Sequence, residues 1–210
     1  FRRVLFRSIM AFSLRYRQIH LDFHTSPLIP DVGAQFDPDQ FGDTLARADV
    51  DSITVFARCH HGMLYYPSRI NPERIHPNLK RPNLLGDQIA ACHARGIRAP
   101  IYTTVQWDAF TAQEHPEWLC RDADGAQMGQ KPFEAGFYAK LCVNTGYRDF
   151  LKDHLRELLE TFACDGFFLD IVQPTPCACE HCIAGMRAAG LDPADPEARE
   201  QYGQQTINDF

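Results

Sequence analysis

One unit recurs four times along this chain: a short apolar run, a polar stretch beyond it, and then helical periodicity. Gln18 to Phe23 alternates polar and apolar residues and runs into Asp22-Phe-His24-Thr-Ser-Pro27, the pattern of a short strand ending in a polar loop. Asp37-Pro38 then supplies an N-cap with proline at the first helical position, and Phe41, Leu45 and Ala48 share one face. Ser52 to Arg58 reads as a buried strand, and Leu85, Ile89 and Cys92 mark a helix that ends at Gly96. Ala99 to Thr104 is the third strand. From Tyr147 to Phe162, apolar residues at Phe150, Leu151, Leu155, Leu158, Leu159 and Phe162 give the strongest amphipathic helix, and Gly166 to Val172 is the fourth strand.

Such alternation requires a parallel sheet, either doubly wound or closed as a barrel. Periodicity alone does not choose. The choice comes from His24, His60, His61, Trp107 and Asp170, which all sit at or just beyond the C-terminal ends of successive strands, where barrels build their active sites. The predicted fold is therefore α/β, a (β/α)₈ TIM barrel. A complete barrel takes about 250 residues, so these 210 residues cover about its first four βα units. Arg121 to Lys140, rich in Gly, Asp and Gln, is expected to be a long loop or hairpin folding over the site.

The two ends are read separately. Phe1 to Ser8 matches a translated sequencing adapter, with Met10 offering a start, so residues 1–9 are set apart from the barrel segment 10–210. Gln201 to Phe210 reads as a helix without a stop signal, which points to a truncated barrel. A formal net charge of -6, with basic residues scattered, argues against nucleic acid as a partner. No run approaches the roughly 20 apolar residues of a membrane span, and no apolar leader follows the first arginines. The expectation is a cytoplasmic protein.

Asp170 closes an otherwise apolar strand, where a carboxylate needs a partner or has a task. A capping or ion-paired aspartate is the structural alternative. The chemical reading is a glycosidase carboxylate, which attacks or stabilises an oxocarbenium-like centre while a second carboxyl protonates the leaving oxygen. His60-His61, with Gly62 and Tyr65-Tyr66 nearby, suits hydrogen bonding to sugar hydroxyls against an aromatic wall; plain loop residues or zinc ligands are the alternatives. His24, Asp22, Tyr102 and Trp107 are further candidates for the pocket.

Three segments, Phe56-Ala-Arg-Cys-His-His-Gly62, Ile101-Tyr-Thr-Thr-Val-Gln-Trp107 and Asp165-Gly-Phe-Phe-Leu-Asp170, together resemble α-L-fucosidase catalytic domains. The likeness spans residues 17 to 172 and is nearer to fucosidase-like barrels with a downstream trimerisation domain. It implies a retaining glycoside hydrolase in which Asp170 is the nucleophile and His24, His60, His61, Tyr102 and Trp107 hold the sugar. It also implies a carbohydrate substrate, no catalytic cofactor, and a homo-oligomer for the full-length protein. The family's His-His-Asp-Gly is replaced here by His60-His-Gly-Met63. The acid/base is expected beyond residue 210, with Glu134 as a weaker local candidate, so the chain alone is expected to be inactive. Rival readings are a galactosidase on the same barrel, a carbohydrate-binding barrel without catalysis, and a metal-dependent hydrolase using His24, His60, His61 and Asp170.

Cys177-Ala-Cys179-Glu-His-Cys182 is a second signal, because closely spaced thiolates can wrap a tetrahedral Zn²⁺ and need a fourth ligand from elsewhere. Three reduced surface cysteines are the alternative. The spacing also resembles that of a family of barrel β-galactosidases whose structural zinc is completed by an earlier cysteine. The position that matches is Cys142, with Cys120 and His181 in reserve. Such a metal would be structural. Cys59, Cys92 and Cys164 lie in apolar settings and are assigned to the core.

Overall fold

The computed structural model describes residues 13–129 and 138–210. Four parallel strands, β1 (Gln18–His20), β2 (Ser52–Arg58), β3 (Ile101–Thr104) and β4 (Phe167–Asp170), lie side by side in sequence order. Helices α1 (Pro38–Arg47), α2 (Leu84–His93) and α4 (Tyr147–Thr161) form the crossovers, and α3 (Ala109–Glu114) is a short insertion after β3. Beyond β4 come α5 (Glu180–Ala188) and α6 (Pro196–Asp209). The result is a curled half-barrel, the one of the two parallel-sheet architectures that the strand-end residues favour.

Helices α1 and α3 begin at capping aspartates. The Asp37 carboxylate caps α1 by accepting from Gln40 N at 2.8 Å, with Pro38 in the first turn. Asp108 does the same for α3, accepting from Thr111 N at 2.8 Å. Ile53, Val55, Ala57 and Ile101 form the sheet's helix-facing side and pack with Leu45, Leu85, Ile89 and Leu158. The opposite, interior face carries an in-register row, Phe56 beside Tyr102 beside Phe168, with the first two rings stacked at 3.9 Å.

Three expectations are corrected in detail. Leu159 does not join the buried face of α4 but is 59 % exposed, since it lies about 100° around the helix from Leu158. The buried stripe is Tyr147, Leu151, His154, Glu157 and Leu158. Strand β1 stops at His20 rather than Phe23. Strand β4 stops at Asp170 because Ile171 has φ 58°, a left-handed conformation unusual for a β-branched residue.

Phe168 and Leu169 are adjacent in β4, so they face opposite sides of the sheet, yet both are exposed. A strand uncovered on both faces is what an incomplete barrel leaves at its open side.

A buried charge cluster that the sequence did not announce sits behind the rim. A register shift in β2 between Phe56 and Arg58 turns Arg58 to the helix side. There its guanidinium donates to Asp108 Oδ2 at 2.8 Å, to the Thr104 carbonyl and to Tyr147 Oη, and lies over the Phe150 ring. Arg74 approaches the same Asp108 carboxylate at 3.5 Å and donates to Thr111 Oγ1. Glu157, also buried, accepts from Tyr66 Oη, Ser68 Oγ and the amides of Arg69 and Ile70. Burial would raise its pKa, but these four donors outweigh it and hold the carboxyl below its ordinary value.

Candidate active site at the strand ends

The Asp165-Gly-Phe-Phe-Leu-Asp170 segment divides its work between the two ends of β4. At the bottom, Asp165 accepts from Ala99 N at 2.8 Å and from His93 at 2.7 Å, which ties β4 to the start of β3 and the end of α2. Gly166, at φ 143°, occupies backbone space closed to other residues, and its carbonyl accepts from Ile101 N. At the top, Asp170 pairs in register with Thr104 and projects from the interior face, one step above the Tyr102–Phe168 pair.

The Asp170 carboxylate is fixed by two donors. Tyr102 Oη donates to Oδ2 at 2.6 Å and Ile171 N donates to Oδ1 at 2.9 Å. The second bond depends on the left-handed Ile171, whose φ folds its amide back onto the preceding side chain. A conformation of this kind costs on the order of 1–3 kcal/mol, so the surrounding contacts must impose it. They do: Val105 N and Gln106 N donate to the carbonyls of Asp170 and Ile171, and Gln106 Oε1 accepts from Gln173 N. The carboxylate is nevertheless 31 % exposed and open to a ligand.

Two histidines complete the cluster, and hydrogen-bond logic assigns their tautomers. Thr104 Oγ1 donates its single proton to the Trp107 carbonyl, so its contact with His60 Nδ1 at 2.8 Å is donation by the imidazole. Neutral His60 therefore presents an unprotonated Nε2, which lies 3.6 Å from Asp170 Oδ2. His24 Nδ1 accepts from His60 N at 3.0 Å, which puts its proton on Nε2, 3.4 Å from Tyr102 Oη. The donors run in one direction, from His24 through Tyr102 to Asp170. The His24 and His60 rings stack at 4.0 Å, and Trp107 meets His60 edge-on at 5.0 Å.

Burial, and then the neighbouring His24, push the His60 pKa down to about 3. Burial also lowers His24 against the opposing pull of Asp22 and Asp170. Both rings are thus neutral at pH 7. His154 is held well below the ordinary histidine range by burial and by Arg58 and Arg74. Unfolding frees these histidines to protonate below about pH 6.5. Stability therefore falls as pH drops through 6.5 and continues to fall toward pH 3, the folded-state value for His60. Each histidine kept neutral contributes at most about 1.4 kcal/mol per pH unit in that window. Urea unfolding of the full-length protein at pH 7.0 and pH 5.0 should show a loss on the order of 2–4 kcal/mol for His60 and His154 together. Equal midpoints at the two pH values would refute this account.

His24, His60, Tyr102, Trp107 and Asp170 are brought together. His61 is half-buried, within electrostatic reach of His24 and His76, and is not part of the tight group formed by His24, His60 and Asp170. Tyr65 and Tyr66 are not a wall for a sugar. Both are fully buried, Tyr65 bonding Thr25 and the Phe23 carbonyl and Tyr66 bonding Glu157. Thr104, Gln106 and Ile171 were missed, because what brings them to Asp170 is the β3–β4 register and the turn after β4, and no local sequence signal marks either. Gly62 stands at φ 82°, and a Cβ there would meet Asp108 Oδ1 at 2.4 Å, so the position leaves no room for a side chain. Glu134 lies outside the described residues.

Part of the 121–140 segment is the expected hairpin: Arg121 bridges Gln127 antiparallel, and Lys140 bridges Trp107 at the rim. Cys142, Cys177, Cys179 and Cys182 are all buried, and their sulfurs lie within 4.8 Å of one another. Cys120 packs into the same cluster. Cys59 and Cys92 are core, and Cys164 is partly buried against it. Among the described residues, no helix is long and apolar enough to cross a membrane.

Residues 37–171 match the model of a family described as hypothetical glycosyl hydrolase 6. The chain is similar to the α-L-fucosidase isoenzyme 2 of Paenibacillus thiaminolyticus, with 42 % identity and a TM-score of 0.86 over 93 % of this chain and 29 % of that one. It thus spans less than a third of that relative. It also shares its fold, at 13 % identity and a TM-score of 0.52, with a hypothetical protein from Ruminiclostridium thermocellum, over 86 % of this chain and 89 % of that one. No curated protein sequence matches the chain.

Proposed function

The chain belongs to the hypothetical glycosyl hydrolase 6 family, and from that premise we propose that the protein is a retaining, exo-acting α-L-fucosidase with Asp170 as its nucleophile. The observation that carries this reading is the state of the Asp170 carboxylate. It is held by Tyr102 Oη and Ile171 N, is open on one side, and faces the unprotonated Nε2 of neutral His60. The exposed side of the carboxylate lies at a strand-end rim with His60 Nε2 3.6 Å away, a polar setting that suits a sugar hydroxyl. The 42 % identical relative that is an α-L-fucosidase supports fucose as the sugar.

In this mechanism Asp170 attacks the anomeric carbon as the glycosidic bond breaks and forms a glycosyl-enzyme ester, which water then hydrolyses. Tyr102 orients the nucleophile. His24, His60, His61 and Trp107 bind the sugar, the histidines through ring nitrogens and Trp107 through its face. A second carboxyl protonates the leaving oxygen and comes from the rest of the barrel. The chemistry uses no metal. We further place the full-length protein in the cytoplasm, which eight unbridged cysteines favour, and expect a homo-oligomer.

A panel of aryl glycosides tests the reading. The full-length protein should release phenol from the α-L-fucoside and leave the galactosides nearly untouched. Preference for a galactoside would move the assignment to another glycosidase on this barrel. Loss of turnover on chelation, with the fold intact, would favour a metal-dependent hydrolase.

A further inference from the structure

The four-cysteine cluster shares no residue with the sugar site, and the proposed reaction does not use it. Cys142 comes from the segment before α4. Cys177 and Cys179 come from the stretch after β4, and Cys182 from the first turn of α5. Their burial ranges from 3 to 5 % exposure. Cys142 Sγ stands 3.4 Å from Cys182 Sγ and 3.7 Å from Cys179 Sγ. These separations are too long for disulfides, which need about 2.05 Å. A tetrahedron of sulfurs at 2.3 Å from a central Zn²⁺ has edges of about 3.8 Å, close to what is seen. An iron–sulfur cube, each iron taking one cysteine, would spread the sulfurs beyond the 4.8 Å that contains them all. The geometry therefore suits one ion and not a cluster.

We propose that Cys142, Cys177, Cys179 and Cys182 bind one Zn²⁺ as a structural site that pins the loop carrying the Asp170 turn. On binding, four Zn–S bonds form and the four thiols release their protons to solvent, with no change of oxidation state. Four protein ligands leave no position for water, so the ion takes no part in hydrolysis. Its role follows from what it joins. Between Asp170 and Cys177 the chain has no regular structure, and Gln106 holds it by accepting from Gln173 N. The cysteines fasten the far end of that loop to the strand-like segment at Leu141-Cys142, whose Leu141 N donates to the Gln106 carbonyl. Both anchors thus converge on Gln106, next to the strained Ile171. Cys120, the fifth thiol of the cluster, lies outside the set of four.

The test is metal content of the full-length protein, purified under reducing conditions without added metal and then titrated with Zn²⁺ alone. Elemental analysis and native mass spectrometry should give one zinc per chain, released by a thiol-modifying mercurial and detected by a chromogenic chelator. Cys142→Ser should lose the ion, whereas Cys120→Ser and Cys164→Ser should keep it. After metal removal, hydrogen exchange at residues 171–179 should quicken more than in β2 or β3. Four freely alkylated thiols and no bound zinc in the folded wild type would overturn the proposal, as would a mass two or four units light from disulfides. The wild-type stoichiometry decides even if a variant fails to fold. It is also independent of the sugar assignment.

Discussion

Asp170→Ala is expected to lower kcat/KM on an aryl α-L-fucoside by roughly 10⁴-fold or more, the scale of losing a residue that forms the covalent intermediate. The structure explains why no neighbour can substitute. Tyr102 and Ile171 N aim their hydrogens at the position of the carboxylate, so the alanine variant leaves two donors without a charge to serve. A small anion can enter that space. With azide present, the variant should regain turnover on a substrate with a good leaving group and yield a glycosyl azide of inverted configuration. A merely structural Asp170 predicts something else: loss without azide rescue, together with reduced stability. A variant that kept wild-type activity would end the assignment of Asp170 as the nucleophile.

The architecture was legible because it rests on periodicity and on punctuation by capping residues, and both are local. Asp37-Pro38 began a helix where expected, and three of the four strands lie within the runs predicted for them, the fourth, β2, matching to the residue. The position of Asp170 was legible for the same reason, as a charge at the end of an apolar strand. The partners that define its chemistry were not. Tyr102 faces Asp170 because β3 and β4 are in register, and register is a property of paired strands. The tautomer of His60 depends on how Thr104 spends its one proton. Tyr65 and Tyr66 misled because aromatic residues next to a histidine pair look alike whether they line a pocket or fill a core. The sulfurs of the four cysteines lie within 4.8 Å of one another, and Cys142 was named beside the other three only through resemblance, since nothing local links it to residues 35 or more positions away.

Arg58 and Asp108 were hidden most completely, and they carry the largest expected effect on stability. Asp108 and Arg58 are both fully buried and 2.8 Å apart, and Arg74 shares the same carboxylate. Two guanidinium groups thus depend on one aspartate, along with Tyr147 and a backbone carbonyl. Burial alone would lower the Arg58 pKa, but Tyr147 and Asp108 hold it above its ordinary value, so the charge stays. Replacing a buried ion pair by packed apolar groups can be neutral, but removing one partner costs about 3–5 kcal/mol because the other charge is stranded. Asp108→Ala should therefore lose at least that much in urea unfolding, a large share of the 5–15 kcal/mol typical of a folded domain. Asp108 also caps α3, and a lost cap costs about 1 kcal/mol. Asp108→Ser separates the two effects, since serine keeps the cap and lacks the charge. A loss near 3–5 kcal/mol for the serine variant assigns the effect to the ion pair, and a loss under about 1 kcal/mol would show that capping was its main role. Activity should fall with stability in either variant. Ala109 N donates to the His60 carbonyl at 2.9 Å, so a shift of the α3 start moves His60 away from Asp170.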